Sequence, residues 1–252
     1  MSYPTDAQAR EEIIRVGRLL YEEGLNTGTD GNISCRVGGG AHLWTTGSGS
    51  AKGFLTEDDL VKTDLEGNVL EGTAKPSSEL KLHLCVYRHN VLAQAAVHAH
   101  SIAATALASA GVGLTEPLLP PVTLQLGKVY TAPYALTGTQ AVADSILPYV
   151  RENNAVLLAN HGAVTWGKDL WQAFTRMETL ERCAQILIQT RMLGTPQYLS
   201  EAQEAELHAY GVQLGHFLRC TVSGKSSYGL SDSGTETGRQ PAHRIHHPNV
   251  SG

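Results

Sequence analysis

Several short stretches of this chain hold residue types that do chemistry. Val97-His98-Ala99-His100-Ser101 places two histidines one residue apart. In a β-strand alternate side chains share a face, so His98 and His100 would point the same way, about 7 Å apart by the strand rise. A third histidine, His161, follows the apolar run 155–160, and Lys75-Pro76-Ser77-Ser78-Glu79 supplies a carboxylate upstream. Three imidazoles, a nearby carboxylate and an open position describe a catalytic metal site rather than a structural one. Each piece alone also has a plainer reading. A histidine on an apolar strand can be a hydrogen-bonded core residue, though two desolvated imidazoles both need partners. Ser77-Ser78-Glu79 fits ordinary helix capping with a carboxylate complementing the helix dipole.

Two loops are suited to an oxyanion. Residues 25–34 hold Thr27, Gly28, Thr29, Asp30, Gly31 and Asn32. Glycines let backbone N–H groups approach a phosphate, and Thr29 and Asn32 add side-chain donors. Thr46-Gly47-Ser48-Gly49-Ser50-Ala51-Lys52 is a Ser/Gly loop with one lysine, without the spacing of a Walker A loop. A helix-to-strand connection and a surface loop account for the same residues. Ser77 or Ser78 at a helix N-terminus would also favour an anion.

The elements that must position these groups follow from periodicity and caps. Thr5 with Gln8 forms a capping box for a first helix, with Ile13, Ile14, Val16, Leu19 and Leu20 as its apolar face and Gly24 as its stop. Strands are expected over 32–37, 41–46, 94–100, 155–160 and 163–166, with a hairpin over 61–69 turning at Glu66-Gly67-Asn68. A helix should open at Pro76-Ser77 and run to about Asn90, carrying His83 and His89 as surface or core residues. A small-residue helix follows over 101–110, and another runs from Thr139 to near Asn153. Asp169 caps a long helix to Leu193, with Leu170, Phe174, Met177, Leu180, Ala184 and Leu187 or Ile188 inward and Gly194 as its stop. Ser200 with Gln203 caps a last helix, with Leu207, Tyr210, Leu214 and Phe217 inward. From residue 223 the composition turns to Ser, Gly, Thr and Pro, which reads as a tail, flexible or laid over a neighbouring subunit.

The bulk properties narrow the classes. The chain has 252 residues and a formal net charge of −5. It is long enough for a substantial core, and nothing in its charge suggests a nucleic-acid or membrane partner. Cys35, Cys85, Cys183 and Cys220 form no C-x-x-C pair, which suits reduced thiols in the cytoplasm. No apolar run approaches the ~20 residues of a membrane helix.

In order, Gly31-Asn32-Ile33-Ser34, Thr46-Gly47-Ser48-Gly49, Ser77-Ser78-Glu79, His98-Ala99-His100 and Asn160-His161-Gly162 resemble the class II aldolase/adducin family, of which L-fuculose-1-phosphate aldolase is typical. The resemblance covers residues 7–218. It implies an α/β fold: one three-layer α/β/α domain over residues 1–222 with a mostly antiparallel central sheet. It implies that His98, His100 and His161 bind Zn²⁺, with Mn²⁺ or Co²⁺ as substitutes, and that Glu79 is both a ligand and the catalytic acid/base. Thr29, Asn32, Ser48, Gly49, Ser77 and Ser78 match the phosphate site. The implied reaction is aldol cleavage of a phosphorylated ketose to dihydroxyacetone phosphate and an aldehyde, in a homotetramer with interfacial active sites. The same scaffold carries sugar-phosphate dehydratases, decarboxylases and epimerases, and non-catalytic adducins. The family's epimerases have Asp at the position of Glu79, and adducins lack the histidines. The family's aldolase tyrosine has no counterpart in Leu118-Leu119-Pro120-Pro121, and Tyr210 or Tyr228 only loosely match a C-terminal one.

Overall fold

The computed structural model describes residues 3–213. The expected tail from residue 223, Cys220, Tyr228 and the inward placement of Leu214 and Phe217 lie outside the described residues. Helices α1 (Asp6–Glu22), α2 (Leu80–His89), α3 (Ile102–Ser109), α4 (Gln140–Ile146), α5 (Leu170–Leu193) and α6 (Glu201–Gln213) accompany one sheet. Its strands are β1 (Asn32–Val37), β2 (His42–Thr46), β3 (Leu60–Asp64), β4 (Val69–Glu71), β5 (Ala95–Ala99), β6 (Thr131–Ala132), β7 (Ala155–Leu158) and β8 (Gly162–Gly167). The strand order is β4-β3-β2-β1-β5-β8-β7-β6, antiparallel throughout except for the β6–β7 pair. This is the three-layer, mostly antiparallel α/β arrangement that the motif order implied.

Alternation along the central strands divides the core in two. On β1 and β5, Ile33, Cys35, Ala95, Val97 and Ala99 face the layer of α1, α3 and α5. Ala96 faces the opposite layer, with residues of α2 and α4 such as Leu82, Val86, Val142 and Ile146. Asn32, Ser34 and His98 share that second face by the two-residue period of a strand. It is therefore partly polar and must satisfy its polar atoms internally. Ser34 Oγ lies 2.7 Å from both His83 Nδ1 and the Tyr87 hydroxyl, and the tyrosine also donates to the Ser34 carbonyl at 3.0 Å. Arg36 stacks over the Tyr87 ring.

The expected caps are present. Thr5 and Gln8 form the capping box of α1, and Asp169 accepts from the Gln172 N–H at 2.7 Å at the start of α5. The six α5 residues from Leu170 to Leu187 named above are buried. The structure adds Glu181, whose carboxylate accepts from the Ala103 and Ala104 N–H groups at 3.0 and 2.9 Å. A carboxylate from α5 thus caps α3, a role that Ser101 does not take. On α6, Tyr210 is exposed rather than inward. Among the described residues no helix is long and apolar enough to cross a membrane.

Several boundaries differ from expectation. Helix α2 begins at Leu80, not at Pro76-Ser77, and neither serine is its N-cap; Glu79 holds that position with its side chain turned elsewhere. Strand β5 ends at Ala99, so His100 lies beyond it, because its N–H donates to Asn26 Oδ1 (3.1 Å) instead of a neighbouring strand. Helix α4 stops at Ile146. Pro148 cannot donate to the helix, and the Leu147 N–H closes back on Asp144 at 3.2 Å.

His83 is fully buried, and burial together with the nearby His98 pushes its pKa down to about 3. The unfolded chain binds a proton near pH 6.5 that the folded chain refuses, so stability falls as pH drops from about 6.5 toward 3. His83→Gln, which can still bond to Ser34, should flatten the acid-side loss of stability by a few kcal/mol. Urea midpoints measured at several pH values check this, and an unchanged slope would exclude His83 as its source.

Candidate metal centre

His98 stands near the end of β5, where the register aligns it with Asn32 of β1 on one side and Val164 of β8 on the other. Its Nδ1 lies 2.8 Å from the Ala163 carbonyl. A carbonyl can only accept, so Nδ1 carries a proton and Nε2 is the nitrogen that faces the neighbouring groups. His100 follows two residues on, and its Nε2 lies 3.1 Å from that of His98. The spacing is much shorter than the strand rise alone predicts, because His100 has left the strand and its ring leans inward.

His161 occupies the tight β7–β8 turn. Asn160 takes a left-handed conformation at φ 55°, which asparagine tolerates and most residues do not. A Cβ on Gly162 would come within 2.6 Å of the Ala99 carbonyl and 2.7 Å of the His100 ring. Asparagine, histidine and glycine thus each have a separate physical reason in Asn160-His161-Gly162. Gly31 serves the same end just before β1, where a Cβ would meet the His98 carbonyl at 2.3 Å.

Glu79 completes the group from just before α2. Its Oε2 lies 3.2 Å from His98 Nε2 and its Oε1 lies 3.1 Å from His161 Nε2. One ligand atom from each of Glu79, His98, His100 and His161 falls within 4.8 Å of all the others. Two ligands of a tetrahedral zinc, each ~2.0–2.1 Å from the ion, lie roughly 3.3 Å apart, close to these separations. Converging nitrogen lone pairs and a carboxylate repel one another unless a metal ion or a shared proton stands between them. Three nitrogens and one oxygen also suit a divalent transition metal. The residues present therefore fit such an ion.

The electrostatics agree. Burial works against the Glu79 carboxylate, but the contacts with His161 and His98 outweigh it and hold the group well below the ordinary carboxylate range. Burial pushes the His100 pKa down to about 4, assisted by the other two imidazoles and opposed by Asp30 and Glu79. His98 has no solvent exposure, whereas the His100 side chain is 27% exposed, so the centre opens on the His100 side.

The residues expected at an anion site lie on adjoining loops. The Gly47 N–H donates to Asp59, the Ser48 N–H donates to the Lys75 carbonyl at 2.7 Å, and Gly47 bridges to Pro76. Ser77 Oγ accepts from the Glu79 N–H at 3.3 Å. Thr29, Ser48, Gly49 and Ser78 are exposed, and Ser77 is half-buried. Asn32 is buried, and its Nδ2 lies 3.5 Å from Glu79 Oε2, nearer the carboxylate than its place among the anion donors suggested. Two contributors had no local signal. Asn26 accepts from the His100 N–H, and Asp30 lies 3.6 Å from His100 Nδ1. Both sit in a loop whose turn residues disguise them.

The family model described as "Class II Aldolase and Adducin N-terminal domain" matches residues 11–188. This chain belongs to that family. A 5-deoxy-D-ribulose 1-phosphate aldolase of Bacillus thuringiensis is 38% identical over 209 residues, covering 81% of this chain and 97% of the relative. A 3-oxo-tetronate 4-phosphate decarboxylase of Escherichia coli is 35% identical over 206 residues, covering 79% and 95%. The solved structure of an L-fuculose 1-phosphate aldolase superposes with a TM-score of 0.77 at 31% identity, covering 82% of this chain and 97% of that one.

Gly162→Ala should destabilise the fold by about 1–3 kcal/mol, because backbone and ring on both sides must move. Its urea midpoint should fall, and its retention of divalent metal on dialysis should weaken with it. Asn160→Gly keeps the left-handed turn open and should leave both near wild type.

Proposed function

We propose that this protein is a zinc-dependent class II aldolase that cleaves a phosphorylated ketose to dihydroxyacetone phosphate and an aldehyde. The observation that carries the reading is the convergence of His98, His100, His161 and Glu79. In this reading the three histidines hold the ion, with Mn²⁺ or Co²⁺ able to replace zinc, and Glu79 is a ligand until substrate arrives. A bound divalent ion supplies Lewis-acid stabilisation of negative charge developing on a ketone oxygen. No lysine Schiff base is then required.

The chain's own groups do the rest. Thr29, Asn32, Ser48, Gly49, Ser77 and Ser78 grip the phosphate, which orients the reacting carbons without taking part in the chemistry. When the carbon–carbon bond breaks, its electron pair stays with the ketone fragment as an enediolate, and the hydroxyl proton of the other fragment passes, directly or through water, to the Glu79 carboxylate as the aldehyde forms. Glu79 delivers a proton to the enediolate carbon. Ser77 lies two residues from Glu79, so the spacing between anchored phosphate and moving proton is short and rigid. The assembly proposed for this chemistry is a cytoplasmic homotetramer.

A second reading is decarboxylation of a sugar-acid phosphate. It too breaks a carbon–carbon bond beside a carbonyl and leaves an electron pair to stabilise. Carbon dioxide leaves from a carboxylate, so no hydroxyl proton has to be removed as it forms. The lack of tyrosine in Leu118-Leu119-Pro120-Pro121 and the Escherichia coli decarboxylase relative favour it.

The metal-loaded protein should be incubated with a panel of ketose 1-phosphates and sugar-acid phosphates. Dihydroxyacetone phosphate is the product expected, and carbon dioxide alone would select the second reading. Chelation should abolish turnover, and added Zn²⁺ should restore it. Glu79→Gln should keep fold and metal while losing about 10²–10⁴-fold in kcat. Full turnover in that variant would remove Glu79 from the proton transfer.

A further inference from the structure

Lys52 is 2% exposed, which is rare for a lysine without a carboxylate partner. Its Nζ donates to the Thr29 carbonyl at 2.9 Å and to the Ser50 carbonyl at 2.6 Å. Among the described residues no ion pair includes it. Its backbone is equally confined. A Cβ on Gly17 of α1 would come within 2.4 Å of the Lys52 carbonyl, so only glycine lets the helix lie this close. Neutral carbonyls solvate an ammonium but do not cancel its charge, and a buried charge without a counter-ion is costly. Thr29 and Ser50 belong to the two loops read above as oxyanion loops. Ser50 in turn donates to the Gly47 carbonyl at 2.8 Å, and Gly47 bridges to Pro76 beside Ser77 and Ser78. One buried cation therefore ties together the loops that carry Thr29, Ser48 and Gly49, and through them reaches Ser77 and Ser78.

We propose that Lys52 is a positioning residue of the phosphate site: it clamps the Thr29 loop to the Ser48–Gly49 loop and supplies the fixed positive charge that a phosphate dianion neutralises. The proposal rests on the reading that these loops hold the substrate's phosphate. Holding two carbonyls on the ammonium also keeps their negative ends off the anion. The carboxylates that face Lys52 are Asp30, Asp59 and Glu79, and they favour its charged form. Burial is the larger influence and brings the lysine down to about 8. The clamp should then release as pH rises through that value, since the neutral amine neither attracts the anion nor holds two acceptors equally well.

The test is calorimetric titration of the full-length, zinc-loaded protein with inorganic phosphate from about pH 7 to about pH 10, with Lys52→Met alongside. Methionine has a similar length and no charge. The variant should keep its zinc and lose at least tenfold in phosphate affinity. Wild-type affinity should decline as pH passes about 8, and the variant's should not. KM for a phosphorylated substrate should rise more than kcat falls, whereas a merely structural loss would lower both. A folded, zinc-loaded Lys52→Met that binds phosphate within twofold of wild type overturns the proposal and leaves the loop reading standing. If wild type binds no phosphate, the loop reading falls and this proposal with it. If Lys52→Met does not fold, the wild-type profile decides, and affinity unchanged across the range overturns the proposal.

Discussion

Three imidazole nitrogens and one carboxylate approach one another closely in this fold. Left without a metal ion or a shared proton these groups repel, and only a stiff frame holds them together. The frame is the β1–β5–β8 register, which fixes His98 between Asn32 and Val164 and pins its Nδ1 to the Ala163 carbonyl. The glycines nearest the centre are explained by the same demand. Gly31 and Gly162 stand where any side chain would push two strands apart.

The two faces of the sheet divide the work. The face toward α1, α3 and α5 is apolar almost throughout and supplies most of the hydrophobic stabilisation. The layer between the sheet and α2 holds Asn32, Ser34, Arg36 and His98 from the strands and His83 and Tyr87 from the helix, all buried. Polar groups in such a setting destabilise unless each finds a partner. Ser34, Tyr87 and His83 Nδ1 satisfy one another, whereas His83 Nε2 has no partner, and Glu79 converges with the three histidines. Glu181 shows how the apolar face serves the other. By capping α3 from α5, it fixes the helix that begins directly after His100-Ser101.

The loops proposed to hold phosphate follow a different principle from the His/Glu cluster. Their exposed donors, Thr29, Ser48, Gly49 and Ser78, offer little packing to hold them in place. Backbone bonds to Asp59 and Lys75 and the buried Lys52 ammonium take over that task. A polar tie under a polar loop leaves the surface of the loop free for a ligand. An apolar anchor could not hold carbonyl groups in this way.

Much of this protein is legible in one dimension. Caps at Thr5, Asp169 and Ser200 are local events between residues three apart, and their hydrogen bonds are those the side chains specify. Strand periodicity gave His98 and His100 a common face, and the order of five short motifs implied the fold and pointed to the four residues that the structure brings together. Local rules failed where distant groups compete for an atom. Ser77 and Ser78 look like caps, yet α2 starts later because Glu79, the residue at the cap, is drawn to histidines contributed by β5 and the β7–β8 turn. His100 leaves its strand for Asn26, 74 positions away. Lys52 reads as a loop lysine, and His83 as a surface or core residue with no stated task. Sequence alone determined which side chains could bind metal and anion. Only the tertiary structure decided which of them meet, because contacts spanning 47 to 74 positions depend on strand register and close backbone approach rather than on any neighbour in the chain.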